Sequence, residues 1–120
     1  MKNIELLKEV GVDYQQGLSR FCNKESLYEK YLFRFLEEPS YQALEDAMSK
    51  KEYKTAFEAG HTLKGVCGNL SINSLFDSLE PFVNALRNST DIDTAVKMFP
   101  SIQDFYKRVK VAIAKYFEEE

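Results

Sequence analysis

The sequence is poor in the residues that build metal centres, disulfide frameworks and nucleic-acid surfaces. It has one histidine and two cysteines in 120 residues, too few ligands for a site built on nitrogen and sulfur donors. Cys22 and Cys67 are lone thiols, so buried, reduced cysteines are expected rather than a disulfide. Basic residues are in the minority: 16 Lys and Arg against 19 Asp and Glu give a net charge of −3 and a pI near 5.3. A nucleic-acid or acidic-membrane partner needs a dense positive patch, which this balance does not offer. No apolar run approaches the roughly 18 residues of a membrane span, and no signal-peptide pattern is present, so a cytoplasmic protein is expected. No glycine-rich loop follows a strand pattern, as a phosphate-cradling ATP site would require. Internal repeats, low-complexity segments and strand alternation are also missing.

What is present suits one globular domain over residues 1–120, with 44% hydrophobic and 29% charged residues. A chain of this length can bury roughly two thirds of its unfolded surface without covalent staples. The apolar spacing is helical throughout. Residues 2–10 form a short amphipathic segment with Ile4, Leu7 and Val10 on one side, ending near Gly11. Asp13 is placed to cap a second short helix through Leu18 and Phe21. From Lys24 to Glu37, Leu27, Tyr31 and Phe35, with Leu32 and Leu36, predict a wide inward face, ended by Pro39. Ser40 starts a helix through Leu44, Ala47 and Met48. Ser49-Lys50-Lys51-Glu52 has capping-box spacing for the next helix, and Ser74-Leu75-Phe76-Asp77 repeats it. Leu75, Leu79, Phe82, Val83 and Leu86 then make an apolar face that Pro81 should bend or break. A turn at Asn88-Ser89-Thr90-Asp91 precedes a last helix from about Asp91 to Phe117, kinked at Pro100. Glu118-Glu119-Glu120 reads as a solvated, frayed end.

The stretch from Ala56 to Leu70 organises the rest. Ala56, Ala59, Leu63, Val66, Cys67 and Leu70 recur at three- and four-residue steps and form a stripe suited to burial. His61, Lys64, Gly65 and Gly68 fall at i, i+3, i+4 and i+7 and face the other way. Each glycine inside a helix costs roughly 0.5–1 kcal/mol relative to alanine. Gly60, Gly65 and Gly68 together therefore cost about 2–3 kcal/mol, which calls for a reason. The reason suggested by the sequence is access: side chains are removed beside His61 so that another macromolecule can approach.

His61-Thr62-Leu63-Lys64-Gly65, followed by Gly68-Asn69-Leu70, resembles the signature of histidine-containing phosphotransfer (HPt) domains. The core motif spans residues 59–70, and the helical pattern fits the family over nearly the full length. The resemblance implies an all-α fold, an antiparallel up-down four-helix bundle with short N-terminal capping helices. It implies a phosphoryl carrier in a two-component phosphorelay, accepting phosphate on His61 from a receiver-domain aspartate and passing it to another receiver. The implied partners are response-regulator receiver domains and a hybrid sensor histidine kinase, with no nucleic acid and no membrane, and the chain is expected to be a monomer. No cofactor of its own is implied, because the magnesium (Mg) such transfer needs belongs to the receiver's carboxylates. Two departures stand out. Gly60 replaces the usual alanine before the histidine, which should loosen the helix, and Ser71 replaces a frequent glycine, which should blur its end.

A neutral imidazole keeps a lone pair on one nitrogen and is a competent nucleophile near neutral pH. The phosphoramidate it forms remains reactive, so the group can leave again to a carboxylate. Lys64, one turn on, can put an ammonium near the phosphoryl oxygens, where transition-state charge collects. Gly65 and Gly68 are candidates for the receiver's line of approach. Phe57, four residues before His61, is either a docking contact or tucked under the N-terminal segments. Asn84 and Arg87 read as ordinary surface residues, but the resemblance makes them candidates to reach the imidazole or phosphate. Two rival readings are the histidine-bearing part of a kinase or phosphatase, disfavoured by the lack of an ATP site, and an interaction module without transfer.

Overall fold

The structure, a computed structural model, describes residues 2–118. The helices are α1 (Glu5–Lys8), α2 (Tyr14–Arg20), α3 (Glu25–Arg34), α4 (Pro39–Ser49), α5 (Tyr53–Leu70), α6 (Asn73–Leu86) and α7 (Ile92–Glu118), with 3-10 turns at Phe35–Glu37 and Arg87–Ser89. The chain is thus all-helical among the described residues, where extended pairing is limited to one bridge between Val12 and Ile72. Glu119 and Glu120 lie outside the described residues, and Glu118 closes α7 exposed to water. No helix among the described residues is long and apolar enough to cross a membrane.

Several boundaries follow from the local chemistry. The Asp13 carboxylate accepts from the Gln16 amide at 3.1 Å, the capping role expected of it. Glu38 is held extended because Pro39 follows it, and Pro39 occupies the first turn of α4, where no amide hydrogen is needed. The two capping boxes do not form. Ser49 is the last residue of α4, and Lys51, at a φ of 58°, lets the Glu52 amide reach the Ala47 carbonyl at 2.9 Å and close that helix. Ser74 instead donates its hydroxyl to the Val10 carbonyl at 2.6 Å. Neither Pro81 nor Pro100 breaks its helix. Both stand on exposed faces, where a carbonyl deprived of its amide donor can be hydrated.

The most extensive contacts run between successive helices, α4 with α5, α5 with α6 and α6 with α7. The apolar face expected of α6 is buried in full, Leu75, Leu79, Phe82, Val83 and Leu86 alike, in one core cluster with Leu44, Leu63, Ile102 and Val109 from the other long helices. The inward face of the α3 segment keeps Leu32 and Phe35 of the expected set but takes in Tyr28 in place of Leu27 and Tyr31. Tyr28, Leu32 and Phe35 are buried, while Leu27 and Tyr31 are left 36% and 39% exposed. The anchor is Tyr28, whose hydroxyl donates to the Leu70 carbonyl at 2.8 Å and so fixes the rotation of α3 against the end of α5. In α1 only Leu7 is fully buried, with Ile4 open, because a helix of four residues offers one buried position.

The N-terminal segment is tied to the α5–α6 turn by backbone bonds from Asp13 N to Ser71 O at 3.0 Å and from Asn73 N to Gly11 O at 2.9 Å. A second tie gathers four elements around Glu29 of α3. Its carboxylate accepts from Tyr14 at 2.8 Å, Tyr116 at 2.6 Å and Lys2 at 2.9 Å.

Candidate functional site

Along α5 the expected core stripe is present: Ala56, Ala59, Leu63, Cys67 and Leu70 are buried, and Val66 is half-buried. The helix runs unbroken through Gly60 and ends sharply. Ser71 adopts the left-handed conformation, with a φ of 56°, that a glycine would take without cost. The Ile72 amide then reaches the Cys67 carbonyl at 2.9 Å, and the Ser71 hydroxyl accepts from Arg20 Nε at 3.0 Å. The end is therefore defined by hydrogen bonds rather than blurred.

His61 is exposed on this helix. One turn before it, the Phe57 ring lies at 6.0 Å between centroids and 13° between planes, an arrangement that restricts the imidazole on one side. The Arg87 guanidinium sits 4.9 Å from the centre of that same Phe57 ring. Phe57 therefore stacks on His61 and carries the Arg87 guanidinium. It is half-buried between His61 and the turn that follows α6. Arg87 is engaged with Phe57 rather than with the imidazole, and Asn84, exposed on α6, makes no hydrogen bond to His61. One turn after His61, the Lys64 ammonium lies 5.8 Å from the Phe76 ring centroid, within cation–π range.

The glycines separate into two kinds. A Cβ on Gly65 would meet nothing within 4 Å, so this position is open beside His61. A Cβ on Gly68 would stand 3.2 Å from the Phe76 ring, and one on Gly60 would stand 3.2 Å from a Val83 methyl. These two have a packing reason, the close approach of α6, alongside any role in access. Phe76 is the residue that sequence reasoning missed, since its spacing marks it only as part of a capping box, whereas in the fold it meets both Gly68 and Lys64. The available signal was a large aromatic just after the turn, facing a glycine just before it.

Of the two thiols, Cys67 is buried as expected, and burial pushes it well above the ordinary cysteine range. Cys22 is exposed instead, because the chain leaves α2 there in a left-handed turn with a φ of 56°. Among the described residues no group of three or more His, Cys, Asp and Glu side chains is placed to hold a metal ion. The arrangement offers an exposed imidazole, a cation one turn away and a glycine with open space around it. No family model matches this chain, and no curated protein or solved structure matches it either.

Proposed function

We propose that this chain is a histidine phosphotransfer protein of a two-component phosphorelay. In this reading a receiver-domain aspartyl phosphate approaches His61, the imidazole lone pair forms the N–P bond, and the P–O bond breaks with its electron pair going to the carboxylate. The reverse step, to a second receiver, discharges the protein. The observation that carries the reading is that the chain's one histidine stands exposed on α5 with Gly65 open one turn beyond it. The extensive packing of each long helix on the next supports reading α4–α7 as an antiparallel four-helix bundle, with α1–α3 capping it. The protein acts as a cytoplasmic, monomeric carrier rather than a kinase: it uses no ATP, and magnesium is held by the receiver's carboxylates. Its partners are response-regulator receiver domains and a hybrid sensor histidine kinase.

The test is transfer from phosphorylated receivers drawn from the same genome. The wild-type chain should gain acid-labile, base-stable label, and His61→Gln should gain none while keeping its helix content. ATP alone should label neither. Label that persists in His61→Gln, or that ATP supplies unaided, sinks the proposal.

A further inference from the structure

A groove of about 600 Å³ runs between the end of α2, α3 and the C-terminal half of α5. That volume falls within the roughly 300–1,000 Å³ typical of small-molecule sites. Phe21 and Tyr31 contribute aromatic walls, their rings 5.7 Å apart and inclined by 30°, while buried Leu70 and half-buried Val66 line it from α5. This is the place where Tyr31, turned outward by the anchoring of Tyr28, leaves apolar surface open.

The groove also holds two guanidinium groups. Arg20 spends only its Nε, on the Ser71 hydroxyl at 3.0 Å, and Arg34 lies 5.2 Å from the Tyr31 ring centre. No carboxylate among the described residues is within ion-pair distance of either arginine. The groove's own carboxylate, Glu38, accepts from the Ser40 amide at 3.0 Å. Two arginines and one glutamate give the groove a formal charge of +1, in a chain whose net charge is −3. Unpaired guanidinium groups present planar forks of N–H donors that match a carboxylate, and the adjoining rings offer apolar surface to a flat body.

We propose that this groove binds a small organic monoanion with a flat apolar body, an aryl carboxylate, whose carboxylate meets Arg20 and Arg34 while its ring lies against Phe21, Tyr31 and Val66. The site uses Val66, Asn69 and Leu70 of α5 and not His61 or Lys64, so it stands or falls independently of phosphotransfer.

The experiment is a titration of the full chain with 2-naphthoate, followed by backbone amide shifts. Two control titrations use 2-naphthamide, which keeps the rings without the charge, and acetate, which keeps the charge without the rings. Naphthoate should saturate in the micromolar to low millimolar range, with shifts gathered at Arg20, Tyr31, Arg34 and Asn69. Both controls should bind at least about tenfold more weakly. Arg34→Gln should weaken naphthoate about tenfold, and Tyr31→Ala should do so through the ring, in both cases with the protein still folded and with no more loss of melting temperature than the missing Arg34–Tyr31 and Phe21–Tyr31 contacts account for. Equal affinity for the amide, shifts centred elsewhere, no saturation by about 10 mM, or unchanged affinity in both variants would overturn the assignment.

Discussion

The ring of Phe76 closes over Gly68, so that a Cβ at Gly68 would lie 3.2 Å from two of its carbons. Gly65, three residues earlier, faces open space. Alanine at either site gains the same helix propensity, roughly 0.5–1 kcal/mol, but at Gly68 the ring must first yield by a few tenths of an ångström. Gly65→Ala should therefore raise the melting temperature by more than Gly68→Ala does. Equal gains in paired thermal melts would mean that Phe76 does not press on Gly68.

Because of that ring, Gly65 is the cleaner probe of access to His61. Gly65→Gln should hold or raise stability and sharply slow transfer from a phosphorylated receiver, since in-line attack tolerates little misplacement. Transfer that stays at the wild-type rate, with the protein fully folded, would show that nothing approaches over this position.

Lys64 reaches across to Phe76, which keeps its cation on the α6 side of the His61 face. Lys64→Ala should cost about 0.5–1 kcal/mol of stability through the lost cation–π contact. In the phosphotransfer reading it should also lose one charge-assisted contact of about 1.5–3 kcal/mol, a slowing of roughly tenfold or more. Rapid-quench rates in both directions check this. Lys64→Arg, which keeps charge and stacking, should recover most of the rate.

Phe57 flanks the imidazole and carries Arg87 on its ring. Phe57→Leu keeps apolar bulk and should cost less than about 1.5 kcal/mol. It removes the flat surface beside His61, so the imidazole resonances should broaden or shift in NMR spectra. An unchanged imidazole signal would remove Phe57 from any positioning role.

Glu29 gives the acid limb of stability a named source. Burial alone would raise its carboxyl, but hydrogen bonds from Tyr116, Lys2 and Tyr14 outweigh that and hold it below the ordinary value of 4.5. A carboxyl lowered in the folded state contributes stability that is complete above its unfolded value and is lost as pH falls through the folded one. The wild type should therefore lose stability below about pH 4.5 through this group. Glu29→Gln should be less stable near neutrality and show a shallower decline across that acid range. Parallel curves for the two proteins in denaturant titrations at stepped pH would exclude Glu29 as the source.

The helical periods, the burial of α6 and the exposure of His61 were legible in the sequence because each depends on spacing along one helix. The ends of α4 and α5 were not, because serine and lysine took left-handed conformations for which the sequence offered no glycine. What Leu27, Tyr31, Phe57, Gly68 and Arg87 touch was equally hidden. The sequence alone determined that this protein is built of amphipathic helices around one that presents a histidine beside small residues. Only the tertiary structure decided which of those glycines is open and which is covered, since that depends on where α6 places Phe76 and Val83. A side chain's period fixes the face it occupies, and the neighbouring helix fixes what that face meets.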